Sequence, residues 1–154
     1  RNYPNLSTVK SKDDIKTLGI KTFFSSDSCA MYRGDYFRKV GGFTKDLNTS
    51  EDMEFAARAI LENKKVAYSA EARVYHSHVY GVADLFKRYL AIGRFFKENS
   101  WIQESIKEGA STQSTGVKQA FEELKYIASK KPSALLKSFL FIVLKYIGYS
   151  LGRK

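Results

Sequence analysis

Two places in the sequence hold residues whose types and spacing could do chemistry. The first is Ser50-Glu51-Asp52, a serine followed by two adjacent carboxylates. A carboxylate held at the start of a helix, beside a polar loop, can act as general base once a substrate hydroxyl comes within hydrogen-bonding reach. It can also do no more than complement the positive end of the helix dipole, which is the commoner use of such a pair taken alone. The second place is His76-Ser77-His78, which contains the only two histidines. In an extended segment both imidazoles point to one side, with Tyr75 and Ser77 on the other. Two imidazoles on one face could ligate a transition metal, but two ligands do not make a site, and histidine also serves as an ordinary polar residue at a strand end. Cys29 is read as a buried, inert thiol, because Ala30 and Met31 make its surroundings lean apolar. Phosphate-cradling loops, nucleophile elbows and zinc-finger spacings are absent.

The elements that must position these residues can be read from periodicity and punctuation. Ser11-Lys12-Asp13-Asp14 can start a short helix running towards Leu18, and Gly19 can close it in a left-handed conformation. Cys29-Ala30-Met31-Tyr32 reads as a short strand, Arg33-Gly34-Asp35 as a turn, and Tyr36 to Val40 as a helical turn ended by Gly41-Gly42. Ser50 is expected to cap a helix through its side-chain oxygen. Met53, Ala56, Ala57, Ile60 and Leu61 then share one face at helical spacing, with Asn63 and Lys64 at the end. Lys65 to Ala70 and Ala72 to His76 are strand candidates, the second carrying the histidines at its end.

From Ala83 the pattern is helical. One amphipathic helix carries Leu85, Tyr89, Ile92, Phe95 and Phe96 towards Ile106, and Gly109 to Gly116 reads as a linker. A second helix spans Val117 to Ser129, and a third opens at Pro132 and is the most apolar part of the chain. Its uncharged runs are each far shorter than the ~20 residues of a membrane span. Two readings stand for it: a helix docked on the catalytic domain, or an in-plane membrane helix with snorkelling lysines.

Composition narrows the classes. The 154 residues, 44% of them hydrophobic, suffice for a real core and exclude a disordered polar chain. A single cysteine rules out an intrachain disulfide and suits a cytosolic setting. No signal peptide is expected behind Arg1-Asn2-Tyr3-Pro4, and the missing initiator Met suggests a piece of a longer protein. A formal charge of +10 suits polyanionic partners, whether lipid headgroups, diphosphates or nucleic acid. The cations are scattered and no nucleic-acid motif is present, so no nucleic-acid partner is expected.

Taken in order, Thr22-Phe23-Phe24-Ser25-Ser26-Asp27, Cys29-Ala30-Met31-Tyr32-Arg33, Val40-Gly41-Gly42-Phe43, Ser50-Glu51-Asp52-Met53, Lys65-Val66-Ala67-Tyr68 and Ala72 to His78 resemble the second half of a family 2 glycosyltransferase catalytic domain. The Phe-Phe-Ser opening and the His-Ser-His ending are most similar to bacterial rhamnosyltransferases. The resemblance implies an α/β fold, the C-terminal part of a nucleotide-diphospho-sugar transferase (GT-A-like) fold, followed by a helical extension so that helix predominates. It divides the chain into an acceptor-side half over residues 1–80 and an extension over 81–154.

By the same resemblance, Asp52 matches the catalytic base, with Glu51 placing it or touching the acceptor. Gly41, Gly42 and Phe43 shape the turn in front of the base and the acceptor pocket, and Asp27, Arg33, Gly42 and Phe43 are the substrate-binding residues implied. His76 matches a position that completes the metal and diphosphate site, with His78 as fallback, and the cofactor would be a divalent metal, Mg or Mn. The implied reaction inverts the sugar carbon and moves a sugar such as rhamnose from a nucleotide-diphospho-sugar to a saccharide or lipid-linked acceptor of a cell-surface polysaccharide. The setting would be cytoplasmic, with peripheral contact at the inner membrane face. The family's donor-binding half, with its Asp-x-Asp metal motif, has no match here, so this chain alone is expected to be inactive. The rival from another class is a non-catalytic basic module binding membrane or nucleic acid.

Overall fold

In the computed structural model, residues 5–77, 80–106 and 113–154 are described, with the backbone alone for 113–119. The chain falls into two compact units. The first comprises the described residues of Arg1–His78 and Glu104–Ala110, and the second those of Val79–Gln103 and Ser111–Lys154.

The first unit is organised by one helix. Alanines and long apolar residues between Glu51 and Leu61 give α3 (Glu51–Leu61), which follows α1 (Ile15–Leu18) and α2 (Gly34–Lys39). Of the residues that helical spacing placed on one face, Met53, Ala56, Ala57 and Ile60 are buried and Leu61, in the last turn, is half-buried. Phe55, Ala59 and Glu54 are buried too, so α3 is enclosed on more than one face. It packs against a 3-10 segment, Gly19–Phe23, whose Phe23 and Thr22 are fully buried. At its C-terminal end, Asn63 takes a left-handed conformation (φ 60°) and the Lys64 N–H donates to the Ala59 carbonyl at 2.9 Å. That satisfies a carbonyl the helix would otherwise leave open. Gly19 closes α1 with a positive φ of 53°, which favours glycine, but its ψ of −132° is not the left-handed helical conformation expected.

Sheet structure is slight. Among the described residues one ladder forms, an antiparallel pair of β1 (Thr8–Lys10) and β2 (Val66–Tyr68) in the register Thr8↔Tyr68 and Lys10↔Val66. Helix therefore predominates over strand. Lys10 Nζ donates to the Lys21 carbonyl at 3.3 Å and to the Phe24 carbonyl, tying β1 to the approach to the polar segment.

Several local expectations need correction. Ala72 to His76 is not a strand: it lacks a ladder partner among the described residues, and an isolated extended run has nothing to bond its backbone. Cys29 to Tyr32 fails for the same reason, with Asp27–Cys29 a 3-10 turn and Ala30 extended but unladdered. Cys29 is exposed rather than buried. β1 lies in a stretch that reads as irregular from sequence, since a three-residue strand offers too few positions for a period-2 pattern.

The second unit is helical: α4 (Val82–Glu98), α5 (Ser100–Glu104, to Gln103 within this unit), α6 (Gln113–Lys130) and α7 (Leu135–Gly152). The helix expected to reach Ile106 breaks at Asn99, whose φ of −113° and ψ of 47° leave the helical region. Helix α6 begins at Gln113, inside the stretch read as linker, while residues 109–112 lie outside the described residues. Pro132 opens a 3-10 turn that leads into α7, a position where its missing N–H costs nothing.

Helix α7 packs on α4 of its own unit, and glycines bring the two close. A Cβ at Gly148 would lie 2.9 Å from the Phe86 carbonyl oxygen. At Gly93 and Gly152 it would run into the Tyr149 and Leu90 carbonyls respectively. The opposite side of α7 is exposed, including Leu136, Phe139 and Ile147.

Candidate active site

The Gly41-Gly42 pair can make its turn because both residues have positive φ, 79° and 71°. A side chain at Gly42 would also press on the Phe37 ring, 3.0 Å from its edge. Arg58 fixes this turn from α3. Its Nη2 donates to the Gly42 carbonyl at 2.7 Å and its Nη1 to the Val40 carbonyl at 3.2 Å. The same guanidinium holds Glu54 by two bonds, 2.7 Å and 3.0 Å, and Glu54 is buried. This fork-to-fork pairing suits arginine and not lysine.

Beyond the turn, Phe43 joins an aromatic cluster. Its ring lies 5.2 Å from Phe37, 5.6 Å from Phe55 and 5.4 Å, edge-on, from Tyr32. Tyr32 and Phe55 are 5.2 Å apart and nearly perpendicular. Such edge-to-face pairs stiffen a wall beyond what area burial alone gives.

On this wall the carboxylates meet. Asp52 is half-buried, in the first turn of α3. Burial pushes its pKa up, the negative charge of Asp27 adds to the rise, and backbone N–H groups of Met53 and Asp27 pull the other way. The Met53 N–H donates to Asp52 Oδ1 at 2.7 Å. Tyr32 belongs to the same group: burial raises its pKa first, then the charges of Asp52, Asp27 and Glu51. Its hydroxyl is buried and finds no hydrogen-bond partner among the described residues. Buried hydroxyls are normally paired, so this one is an exception among the described residues.

Ser50 stands at the N-cap but does not cap as expected. Its φ of 64° and ψ of 23° are left-handed, and its side chain makes no capping bond. A capping oxygen needs the extended backbone that aims it at the N2 or N3 amide. Asp46 is left-handed as well, at φ 68°. Two non-glycine residues in this region of conformational space mark the Thr44 to Ser50 loop as backbone held against its own preference.

Asp27, Glu51 and Asp52 thus all act on Tyr32, whose ring packs on Phe43, while Gly42 is held one residue earlier by Arg58. Arg33 stands apart: it is exposed at the start of α2 and pairs with Asp35 at 2.6 Å. His76 is exposed in irregular backbone, and His78 lies outside the described residues. Among the described residues, no three or more His, Cys, Asp or Glu side chains come together as a metal would require. The described donors therefore do not by themselves fit the divalent metal that the resemblance implies. Sequence reasoning missed Tyr32, Glu54 and Arg58. The Glu54–Arg58 pair had a signal in its i,i+4 spacing on a helix; Tyr32 had none beyond being aromatic.

The model of the family described as glycosyl transferase family group 2 matches residues 12–144. The O-antigen chain rhamnosyltransferase WbaN of Salmonella anatum is 40% identical over 152 residues, covering 99% of this chain and 47% of that protein. The O-antigen chain rhamnosyltransferase RfbN of Salmonella typhimurium is likewise 40% identical over 152 residues, covering 99% of this chain and 48% of its own length. The chain thus spans about half the length of the curated relatives it matches. No solved structure matches it. The family match takes in the glycine turn, the aromatic wall and the paired acids alike, and the chain belongs to glycosyl transferase family group 2.

Proposed function

We propose that this chain is the acceptor-side part of an inverting glycosyltransferase that moves a sugar, rhamnose by similarity to the relatives, from a nucleotide-diphospho-sugar onto a saccharide or lipid-linked acceptor. The observation that carries this reading is Asp52, a half-buried carboxylate in the first turn of α3 with a raised pKa, set near Asp27 and Tyr32. A carboxylate whose pKa is raised is a stronger proton acceptor. Asp52 takes the proton of the acceptor hydroxyl while that oxygen bonds to the anomeric carbon. The bond from that carbon to the diphosphate breaks with its electron pair, so the nucleotide diphosphate leaves and configuration inverts. Glu51 holds the acceptor, and the Tyr32 ring backs the wall against which Asp52 sits. Phe43, placed by the Gly41-Gly42 turn, supplies an apolar ring surface for the sugar.

The same proposal reads residues 1–80 as part of a GT-A-like domain and 81–154 as its helical extension. Exposed apolar residues in unladdered backbone support it, since Met31, Val74 and Tyr75 lack cover among the described residues. The relatives are about twice as long, which leaves room for a donor-binding half elsewhere in the parent protein. A divalent metal, Mg or Mn, would serve the leaving diphosphate; the residues assigned to this chain stop at the base and the acceptor wall, with His76 and His78 kept as ligands to be tested. Work on a lipid-linked acceptor would place the protein in the cytoplasm at the inner membrane face.

The test is product analysis with the full-length parent, a nucleotide-diphospho-rhamnose and a lipid-linked saccharide. Transfer of one sugar with inverted anomeric configuration by NMR is the expected result. Retained configuration, or hydrolysis without transfer to any acceptor, would overturn the reading.

A further inference from the structure

Helix α7 has two unlike sides. One carries Gly148 and Gly152 and is closed against α4 so tightly that backbone meets backbone. The other presents Leu136, Phe139, Leu140, Tyr146, Ile147 and Leu151 to solvent, with Leu136 and Tyr146 each 72% exposed. At 100° per residue these positions form one continuous stripe, and Val143 fills the turn between Leu140 and Ile147. An unbroken apolar stripe of this length is more than the scattered exposed hydrophobics of an ordinary surface.

Charge says what covers it. From Lys130 to Lys154 the sequence has Lys130, Lys131, Lys137, Lys145, Arg153 and Lys154 and no Asp or Glu. Basic pairs therefore bracket the stripe at both ends. A second copy of the chain is a poor match for this arrangement. Antiparallel pairing of two α7 helices would set Lys130-Lys131 against Arg153-Lys154, and parallel pairing would set each basic pair against itself. An anionic lipid surface meets both demands, taking the apolar side chains into the acyl boundary and the cations among the headgroups.

By length and composition, Pro132–Gly152 could also cross a bilayer. Its packing argues against that. Helix α4 lies along it, with Asp84, Lys87, Arg88, Arg94, Lys97 and Glu98 exposed. Spanning would carry those charges into hydrocarbon, where each is costly. We infer that α7 lies in the plane of an anionic membrane surface, with α4 as the rigid back that keeps the stripe facing the lipid. Phe139 and Tyr146 suit the headgroup boundary.

The inference does not depend on sugar transfer, and its test contains no donor or acceptor. The chain is mixed with vesicles of phosphatidylcholine alone or of equimolar phosphatidylcholine and phosphatidylglycerol, and the bound fraction is read by flotation. Binding to the anionic vesicles that weakens with added salt is expected. Phe139→Asp with Ile147→Asp should lower the partition coefficient by at least about tenfold. Lys130→Gln with Lys131→Gln should lower it by about fivefold for each charge removed. Circular dichroism and sedimentation velocity on the same samples show whether each variant is still folded and monomeric. No binding of the unaltered chain to anionic vesicles at low salt would overturn the inference. So would equal binding by the folded aspartate variant. A lipid-free dimer that dissociates in the aspartate variant would overturn it too, assigning the stripe to a second copy.

Discussion

Replacing Arg58 by methionine tests how the glycine turn is held. Met keeps the apolar stem and removes the guanidinium, which leaves the Glu54 carboxylate without the partner it meets at 2.7 Å and 3.0 Å. The carbonyls of Gly42 and Val40 lose their donors as well. Breaking a buried ion pair on one side costs about 3–5 kcal/mol. Because the Arg58 side chain is 25% exposed, water can reach the vacated space, and the lower end, about 3 kcal/mol, is the expected loss. That is a large share of the roughly 5–15 kcal/mol that holds a domain folded. Native-state hydrogen exchange at the α3 amides from Ala56 to Ile60 reads this unit alone, and the loss corresponds to about a hundredfold faster exchange at amides that open globally. The double variant Glu54→Leu with Arg58→Met removes both charges and should be less destabilised than Arg58→Met by itself. A loss below about 1 kcal/mol for Arg58→Met, or a double variant at least as unstable, would refute the argument.

Three further outcomes follow from the same geometry. Asp52→Asn should stabilise the chain at neutral pH: with its folded pKa above the ordinary value, the carboxyl favours folding while protonated and loses that contribution as pH rises through the folded pKa. The advantage of the asparagine variant should vanish when pH is lowered below the ordinary carboxylate range, and a thermal melt series over pH checks it. Gly42→Ala combines a strained φ of 71° with pressure on the Phe37 ring and should cost about 1–3 kcal/mol by urea unfolding. Gly93→Ala forces α4 from α7, since its Cβ would lie 2.9 Å from the Gly152 Cα; a lowered melting temperature and faster exchange at α7 amides are expected, with the α3 amides unchanged.

What the sequence made legible was local. The α3 helix, its acidic first turn and its Asn63 stop were all readable, because spacing, dipole and capping chemistry act within a few residues. Gly19 and Gly41-Gly42 were readable as turns for the same reason. The extended segments at Cys29 to Tyr32 and Ala72 to His76 were misread as strands, since a strand exists only with a partner and the partner is not local. Ser50 was misread in detail because its left-handed backbone is set by the loop before it, not by its own preference. The Asp27, Asp52 and Tyr32 grouping joins residues 25 positions apart, which no periodicity encodes. Arg58 was overlooked although its spacing from Glu54 was visible, because such a pair on a helix is usually a solvated one.

The most direct measurement is single-turnover sugar transfer by the full-length parent carrying Asp52→Asn, with nucleotide-sugar binding measured alongside by calorimetry. If Asp52 is the base, transfer falls by at least about a hundredfold while donor binding stays at the level of the unaltered protein. Transfer at the unaltered rate in a folded Asp52→Asn protein would contradict the account.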